Sequence, residues 1–301
     1  MPSDFPDVGI HTGVSMSNYL MLNAASSSRL KDLGRSPAFC KYRMTASRGD
    51  TVATIVGSLV DALLLTPAEV EGNFLKAGTC AARLKSGAPC TKNGSLVLGK
   101  DWYCKTKSHA PVEAGPPVAR VLSTDDYDRA LNIFHAVQAH PWWQAFQPTI
   151  SGVQETLVWE DAESGILVKG RPDARGGSIL MDLKVTREAA QSVYPRKCVG
   201  LWHPQQAAHY AQGYAELGVE ITERWILAAH PEPPHEVTAY IMSPDLNKYA
   251  DRTVRNRMER LADYMHLNSW PPGVPEVEVP LPDWINPGVE IEDDPIYVEE
   301  D

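Results

Sequence analysis

Two short apolar segments bring together side chains whose types and spacing could act on a phosphate. Ile166 to Ala174 carries Pro172-Asp173, and Ile179 to Val185 carries Asp182-Leu183-Lys184, joined through Arg175-Gly176-Gly177-Ser178. Read as strands, they form a hairpin with Gly-Gly at the bend. Alternate strand residues share a face at a rise of roughly 3.3 Å per residue, which sets Asp182 and Lys184 on one side about 6–7 Å apart. Two carboxylates beside a lysine suit metal-assisted phosphodiester hydrolysis. The acids can hold a hard cation, and the ammonium steadies a hydroxide or the extra charge on phosphate. The same residues also fit a surface ion pair after a turn.

Further residues fall into line with these. Val153 to Trp159 alternates like a third strand, with Glu155, Leu157 and Trp159 on one face. An acid among apolar strand side chains is either an edge residue or a ligand. Downstream, Trp202 to Leu217 predicts a helix that sets Gln206 and Tyr210 one turn apart on the same face. The order Glu155, Pro172-Asp173, Asp182-Leu183-Lys184, then Gln206 and Tyr210 resembles the exodeoxyribonuclease VIII (RecE) family of the PD-(D/E)xK nuclease superfamily. Lambda-type phage exonucleases are more distant relatives. The likeness extends to Ser26–Lys31 with Arg35-Ser36-Pro37, to Gly57–Pro67 and to Leu281-Pro282-Asp283-Trp284. It departs at Asp61, where that family usually carries a histidine that assists the metal site.

The resemblance implies an α/β fold with a PD-(D/E)xK nuclease-like core, a central mixed β-sheet flanked by helices. It implies Mg²⁺, with Mn²⁺ as an alternative, held by Glu155, Asp173, Asp182 and the Leu183 carbonyl. Lys184 then positions the attacking water, and Gln206 and Tyr210 complete the catalytic set. Ser28, Arg29, Lys31, Arg35 and Arg171 are the candidate DNA contacts. The implied reaction is digestion of double-stranded DNA from a 5′ end during recombination, with a single-strand annealing protein as partner and a homo-oligomeric ring around the duplex. Polarity and ring rest on the resemblance alone. A site-specific or structure-specific endonuclease of the same fold fits these residues too, as does a DNA-binding or regulatory protein with a decayed site. Intact Glu155, Asp173, Asp182 and Lys184 speak against decay.

The chain has 301 residues, enough for one large domain, and no mid-chain linker divides it. We expect a single nuclease domain over 1–287, an insert at about 78–117, and an acidic tail over 288–301. The net charge of -10 argues against a nucleic-acid binder, yet seven acids and no base lie between Glu290 and Asp301. Between Arg29 and Arg48 there are six bases and one acid. A second group, Lys169, Arg171, Arg175, Lys184, Arg187, Arg196 and Lys197, surrounds the proposed site. Each group is a solvated face or a local phosphate track. Met1 to Gly13 lacks the pattern of a secretory signal, and Thr54 to Leu65, broken by Asp61, is far short of the ~20 residues of a membrane span. A cytoplasmic protein, in a bacterial or phage-infected cell, is the expectation.

Periodicity predicts helices over Ser28–Leu33, Thr54–Leu65, Thr124–Ala139, Trp202–Leu217 and Pro244–His266. It predicts strands over Ile150–Trp159, Ile166–Ala174, Ile179–Val185, Arg224–Ala229 and Glu236–Met242. The loop-like insert holds Cys80, Cys90, Cys104 and His109, whose order resembles a short zinc-binding module with two extra residues before the histidine. Three thiols and an imidazole suit tetrahedral Zn²⁺. Reduced cysteines in a flexible loop are the alternative, whereas an odd cysteine count and a cytosolic setting disfavour disulfides. Cys40 and Cys198 read as buried thiols, His203, His209 and His230 as hydrogen-bonding core residues, and Trp142-Trp143 as packing against the sheet.

Overall fold

The structure is a computed structural model that describes residues 7–46, 49–98, 100–106, 108–111 and 119–272. The Leu281-Pro282-Asp283-Trp284 motif and the acidic tail lie outside the described residues, as do 99, 107 and 112–118 of the insert.

The chain opens with β1 (Gly9–His11), then α1 (Met16–Met21), α2 (Ser27–Leu33), α3 (Pro37–Thr45), α4 (Val52–Leu65) and α5 (Val70–Asn73). Ser15, Ser26, Ser36 and Thr51 start the first four helices, each side chain accepting from the backbone N–H three residues on. The insert follows, with β2 (Phe74–Lys76), β3 (Leu96–Leu98), β4 (Asp101–Tyr103) and β5 (Arg120–Leu122). Next come α6 (Thr124–Ala139) and α7 (Pro141–Phe146). The remaining strands and helices build the core: β6 (Gly152–Val153), β7 (Thr156–Glu160), β8 (Leu167–Gly170), β9 (Ala174–Gly176) and β10 (Ile179–Val185). After them run α8 (Tyr194–Leu201), α9 (His203–Glu216), β11 (Glu223–Ala229), β12 (Val237–Ile241) and α10 (Pro244–His266).

Five strands form a mixed sheet in the order β12-β11-β10-β9-β6, with β10 and β11 parallel and the other pairs antiparallel. A smaller antiparallel sheet runs β1-β7-β8. The parallel pair needs a long crossover, which α8 and α9 supply. Alternation along β10 divides the core in two. Leu180 packs with Ile226, Ala228 and the buried faces of α9 and α10. Met181 and Leu183 pack with Leu227, Ala229 and the apolar faces of α4, α6 and α7. Asp182 and Lys184 belong to the Leu180 side by the same period of two.

The hairpin forms as expected. Gly176 pairs with Ile179, and Gly177, at φ 57°, takes the left-handed turn position that a side chain would strain. Two expected strands are each interrupted. The segment 150–159 divides at Gln154, whose φ is +44°, so β6 joins the five-stranded sheet and β7 the three-stranded one. Glu155 therefore lies between strands, not within one. The segment 166–174 divides at Pro172, which has no N–H for a ladder, leaving Asp173 immediately before β9. The expected helix 202–217 forms as α9; Trp202, left-handed at φ 74°, separates it from the preceding helix α8. Helices α1, α3, α5, α7 and α8 were not expected.

Candidate active site

The hairpin register positions the two central acids. Met181 faces Ala174 across β9 and β10, and continuing that ladder by one residue sets Asp173 opposite Asp182. Asp173 is tied down further, its Oδ2 accepting from the Leu183 backbone N–H at 2.7 Å. Asp182 is only 1% exposed and forms an ion pair with Lys184. The third acid is Asp61, from α4: the fields of Asp173, Lys184 and Asp182 all act on it. Burial, then repulsion from Asp182, pushes the Asp173 carboxyl up to about 7, while burial and Asp173 push Asp61 well above the usual carboxylate range. Partial burial works against the charge of Lys184, but Asp182 and Asp173 outweigh that and raise its pKa. Three acids around one ammonium are short of positive charge, and an added cation would relieve them.

Two tyrosines and a histidine lie within reach of the charges of this centre. Gln206 donates to the Tyr210 hydroxyl at 2.8 Å, so the expected pair on α9 does meet. Tyr210 is buried near Tyr19 and Asp182, and burial first of all raises its pKa, keeping the phenol neutral. Tyr194, unremarked in the sequence, packs at 4.4 Å on Tyr240 and hydrogen-bonds to His203 Nδ1 at 2.9 Å. Burial, Lys184 and Lys31 push His203 down to about 3. His209 is buried in the core, its Nε2 at 2.9 Å from the Lys169 carbonyl and its ring against Trp159.

Glu155 is placed differently from the expectation. Arg175 Nε and Nη2 donate to its two carboxylate oxygens at 3.2 and 3.3 Å, and the Tyr214 hydroxyl donates to Oε2 at 2.6 Å. Gly152 allows the carboxylate to fold back, since a Cβ there would lie 2.1 Å from Glu155 Oε2. The charges acting on Asp61, Asp173 and Lys184 are one another's and that of Asp182, not that of Glu155. The structure thus brings Asp173, Asp182 and Lys184 together with Asp61 and leaves Glu155 in a closed ion pair. The sequence placed Arg175 only among surrounding bases. Its position on β9 opposite Leu180, on the face of Asp182, was the available signal.

The expected DNA contacts divide. Arg171 is spent inside the fold, donating to the Val14 carbonyl, Thr156 Oγ1 and Gln154 Oε1. Lys169 likewise donates to the carbonyls of Tyr19 and Leu22 at 2.7 and 2.8 Å, so it closes the end of α1 instead of facing solvent. Arg29 is half-buried and reaches Asn23 Oδ1 at 3.4 Å. Ser28 is exposed beside Ser26. Lys31 and Arg35 do line a groove of about 630 Å³ with Arg43 and Arg257. Trp142 stacks at 4.8 Å on Phe146 and 4.9 Å from Trp225, and Trp143 is buried, so the pair packs the core.

In the insert, one ligand atom from each of Cys80, Cys90, Cys104 and His109 falls within 4.8 Å of the others. Among the described residues this is the one group of three or more His, Cys, Asp and Glu side chains whose ligand atoms are drawn together in this way. Cys40 and Cys198 are buried thiols away from it. No helix among the described residues is long and apolar enough to cross a membrane.

The comparisons agree with this architecture. A crystal structure described as a "Putative exonuclease" from Eubacterium rectale superposes with a TM-score of 0.54 at 14% identity, covering 86% of this chain and 89% of that one. At that identity the likeness is one of fold. No curated protein matches the chain. A family described as a PDDEXK-like domain of unknown function (DUF3799) matches residues 26–279. Most of the chain lies inside that match, with the hairpin acids and lysine at its centre, and the protein therefore belongs to this PDDEXK-like family.

Proposed function

We propose that this protein is a Mg²⁺-dependent deoxyribonuclease, an exonuclease that shortens duplex DNA from 5′ ends and serves recombination, as the RecE resemblance implies. The carrying observation is the convergence of Asp173, Asp182 and Asp61 on Lys184 across adjoining elements. The donor set fits a hard cation: crowded carboxylates whose pKa values burial and one another raise, with one ammonium among them. Asp173 and Asp182 would hold Mg²⁺ (or Mn²⁺) with the Leu183 carbonyl, and Asp61 takes the place of the family histidine as an oxygen donor. When bound, the ion supplies Lewis acidity and lowers the pKa of a bound water.

The chain's own residues do the rest. Lys184, held by Asp182, offsets charge on the scissile phosphate and orients the attacking water. Tyr210, kept neutral by burial and linked to Gln206, offers a hydroxyl at the substrate side of α9. Glu155 acts through Arg175, fixing β9 and with it Asp173, and Tyr214 locks that pair to α9. The groove containing Lys31 and Arg35 is the phosphate track. A strand-annealing partner and a ring of subunits remain part of the proposal.

The test is incubation of end-labelled linear duplex and of covalently closed circular duplex, with and without Mg²⁺. Shortening of the 5′-ended strand of the linear form alone supports the reading. Cutting of the closed circle would make the enzyme an endonuclease of the same fold, and no Mg²⁺-dependent cleavage of either would overturn the assignment.

A further inference from the structure

The insert has almost no apolar centre of its own. Its buried cluster is Cys80, Cys90 and Cys104, with Ala82 packed against them. Around the sulfurs the backbone is nonetheless ordered. Residues Arg83 and Pro89 pair across a tight turn between the first two cysteines, Thr79 pairs with Asn93, and Cys80 with Trp102. Trp102 lies so close to the chain that a Cβ on Gly78 or Gly94 would meet it at 2.3 or 2.4 Å. The fourth group, His109, brings Nδ1 to 3.2 Å from Cys104 Sγ and 3.8 Å from Cys80 Sγ. Three cysteines and one alanine bury too little apolar surface to order a loop of this length, so four ligand atoms at its centre imply an ion between them.

The spacing also selects the ion. A tetrahedral zinc with Zn–S near 2.3 Å sets its ligand atoms roughly 3.5–4 Å apart, in keeping with a set confined within 4.8 Å. An iron–sulfur cluster spreads its thiolates over several irons and needs them further apart. Three thiolates with one imidazole suit Zn²⁺ and not Mg²⁺ or Ca²⁺.

A second observation concerns what this module presents. Arg83, Lys85, Lys92, Lys100 and Lys105 are all exposed, against the single acid Asp101 among the described insert residues. That is a local charge opposite in sign to the net -10 of the chain. Among the described residues, Lys85, Lys92, Lys100 and Lys105 make no ion pair. Basic side chains left outward on an acidic protein are suited to a polyanion.

We propose that residues 78–111 form a zinc-held basic module: Cys80, Cys90, Cys104 and His109 bind one structural Zn²⁺, and the ordered loop lays its lysines along a nucleic-acid phosphate backbone. The second half rests on the nuclease reading above; the first does not. Elemental analysis of the full chain, purified without chelator, is expected to give about one zinc and no stoichiometric iron per molecule. Cys80→Ser and Cys104→Ser lose the zinc, and Cys90→His, which keeps a ligand, retains it. In the Co²⁺-substituted protein, thiolate charge-transfer absorption is expected, and it weakens in Cys90→His. Zinc absent from the parent, or retained through both serine substitutions, would overturn the metal site. Lys85→Glu with Lys92→Glu, zinc still bound, should weaken duplex affinity about tenfold at low salt and reduce the slope of log K against log salt by about two. Unchanged affinity and slope in that variant, while the parent binds duplex, would overturn the phosphate contact. A parent that binds no duplex at any salt would instead refute the nuclease reading and with it the phosphate half, leaving the zinc half to its own result.

Discussion

Replacing Arg175 by methionine tests whether Glu155 is held in a closed pair. In the parent, the guanidinium donates to both Glu155 oxygens, and the side chains are 16% and 7% exposed. Methionine fills a similar volume but leaves the carboxylate buried with one strong partner, the Tyr214 hydroxyl at 2.6 Å. Removing one member of a buried pair costs about 3–5 kcal/mol, a large share of the 5–15 kcal/mol typical of a domain. With Glu155→Gln added, no charge is stranded and the amide oxygen still accepts from Tyr214, so the double variant should lie within about 1–2 kcal/mol of the parent. The assay is urea unfolding followed by circular dichroism in metal-free buffer. With a slope near 3 kcal/mol/M, Arg175→Met lowers the midpoint by roughly 1–1.5 M, and the second substitution recovers most of it. A loss below about 1 kcal/mol in the single variant, or no recovery in the double, would refute the reasoning.

Other consequences are as direct. Lys184→Ala should lower the rate of Mg²⁺-dependent cleavage by about 10²-fold or more while calorimetric Mg²⁺ affinity changes little; lost ion binding would make the lysine structural. Asp61→Ala should weaken Mg²⁺ binding and activity together, and Asp61→His should restore part of both if the two residue types serve one role; an indifferent Asp61→Ala would remove Asp61 from the site. His209, held down to about 4 by burial, stays neutral in the fold but protonates near 6.5 when unfolded. The unfolded chain binds more protons between those values, so stability is complete above about pH 6.5 and falls as pH drops toward 4, by up to about 3 kcal/mol from this residue. His209→Gln should flatten that part of a stability–pH curve; an unchanged slope would show that other groups carry it.

The chemistry-bearing hairpin was legible because its signal is local. Asp182-Leu183-Lys184 on one apolar run and Gly176-Gly177 at the bend fix face and register within a few residues. Long periodic helices were equally readable: Pro244–His266 and Thr124–Ala139 run as their patterns predict. What failed was long-range or backbone-special. No periodicity marks Gln154 or Trp202 as left-handed, since neither is glycine, so the division of 150–159 and the break between α8 and α9 went unseen. The helices α1 and α7, six residues each, fall short of two turns, and α3 and α8, at nine and eight residues, barely exceed them, too little for an amphipathic pattern to stand out. Charge alone could not separate Lys31 and Arg35, which line a groove, from Lys169 and Arg171, which are drawn into the fold; Lys31 itself donates to the Leu201 carbonyl at the groove wall. Glu155 carried the residue type of a ligand, and only the fold shows Arg175 and Tyr214 occupying both its oxygens.

The central claim is that Asp182 serves the reaction as a carboxylate and not as a structural partner of Lys184. It is tested by release of nucleotides from linear duplex DNA at saturating Mg²⁺, comparing the parent with Asp182→Asn, which preserves shape and one acceptor oxygen but removes the charge. The account predicts Mg²⁺-dependent release by the parent and loss of at least 10²-fold in the variant, with duplex binding kept or tightened. Full turnover by Asp182→Asn, or a parent indifferent to Mg²⁺, would contradict it.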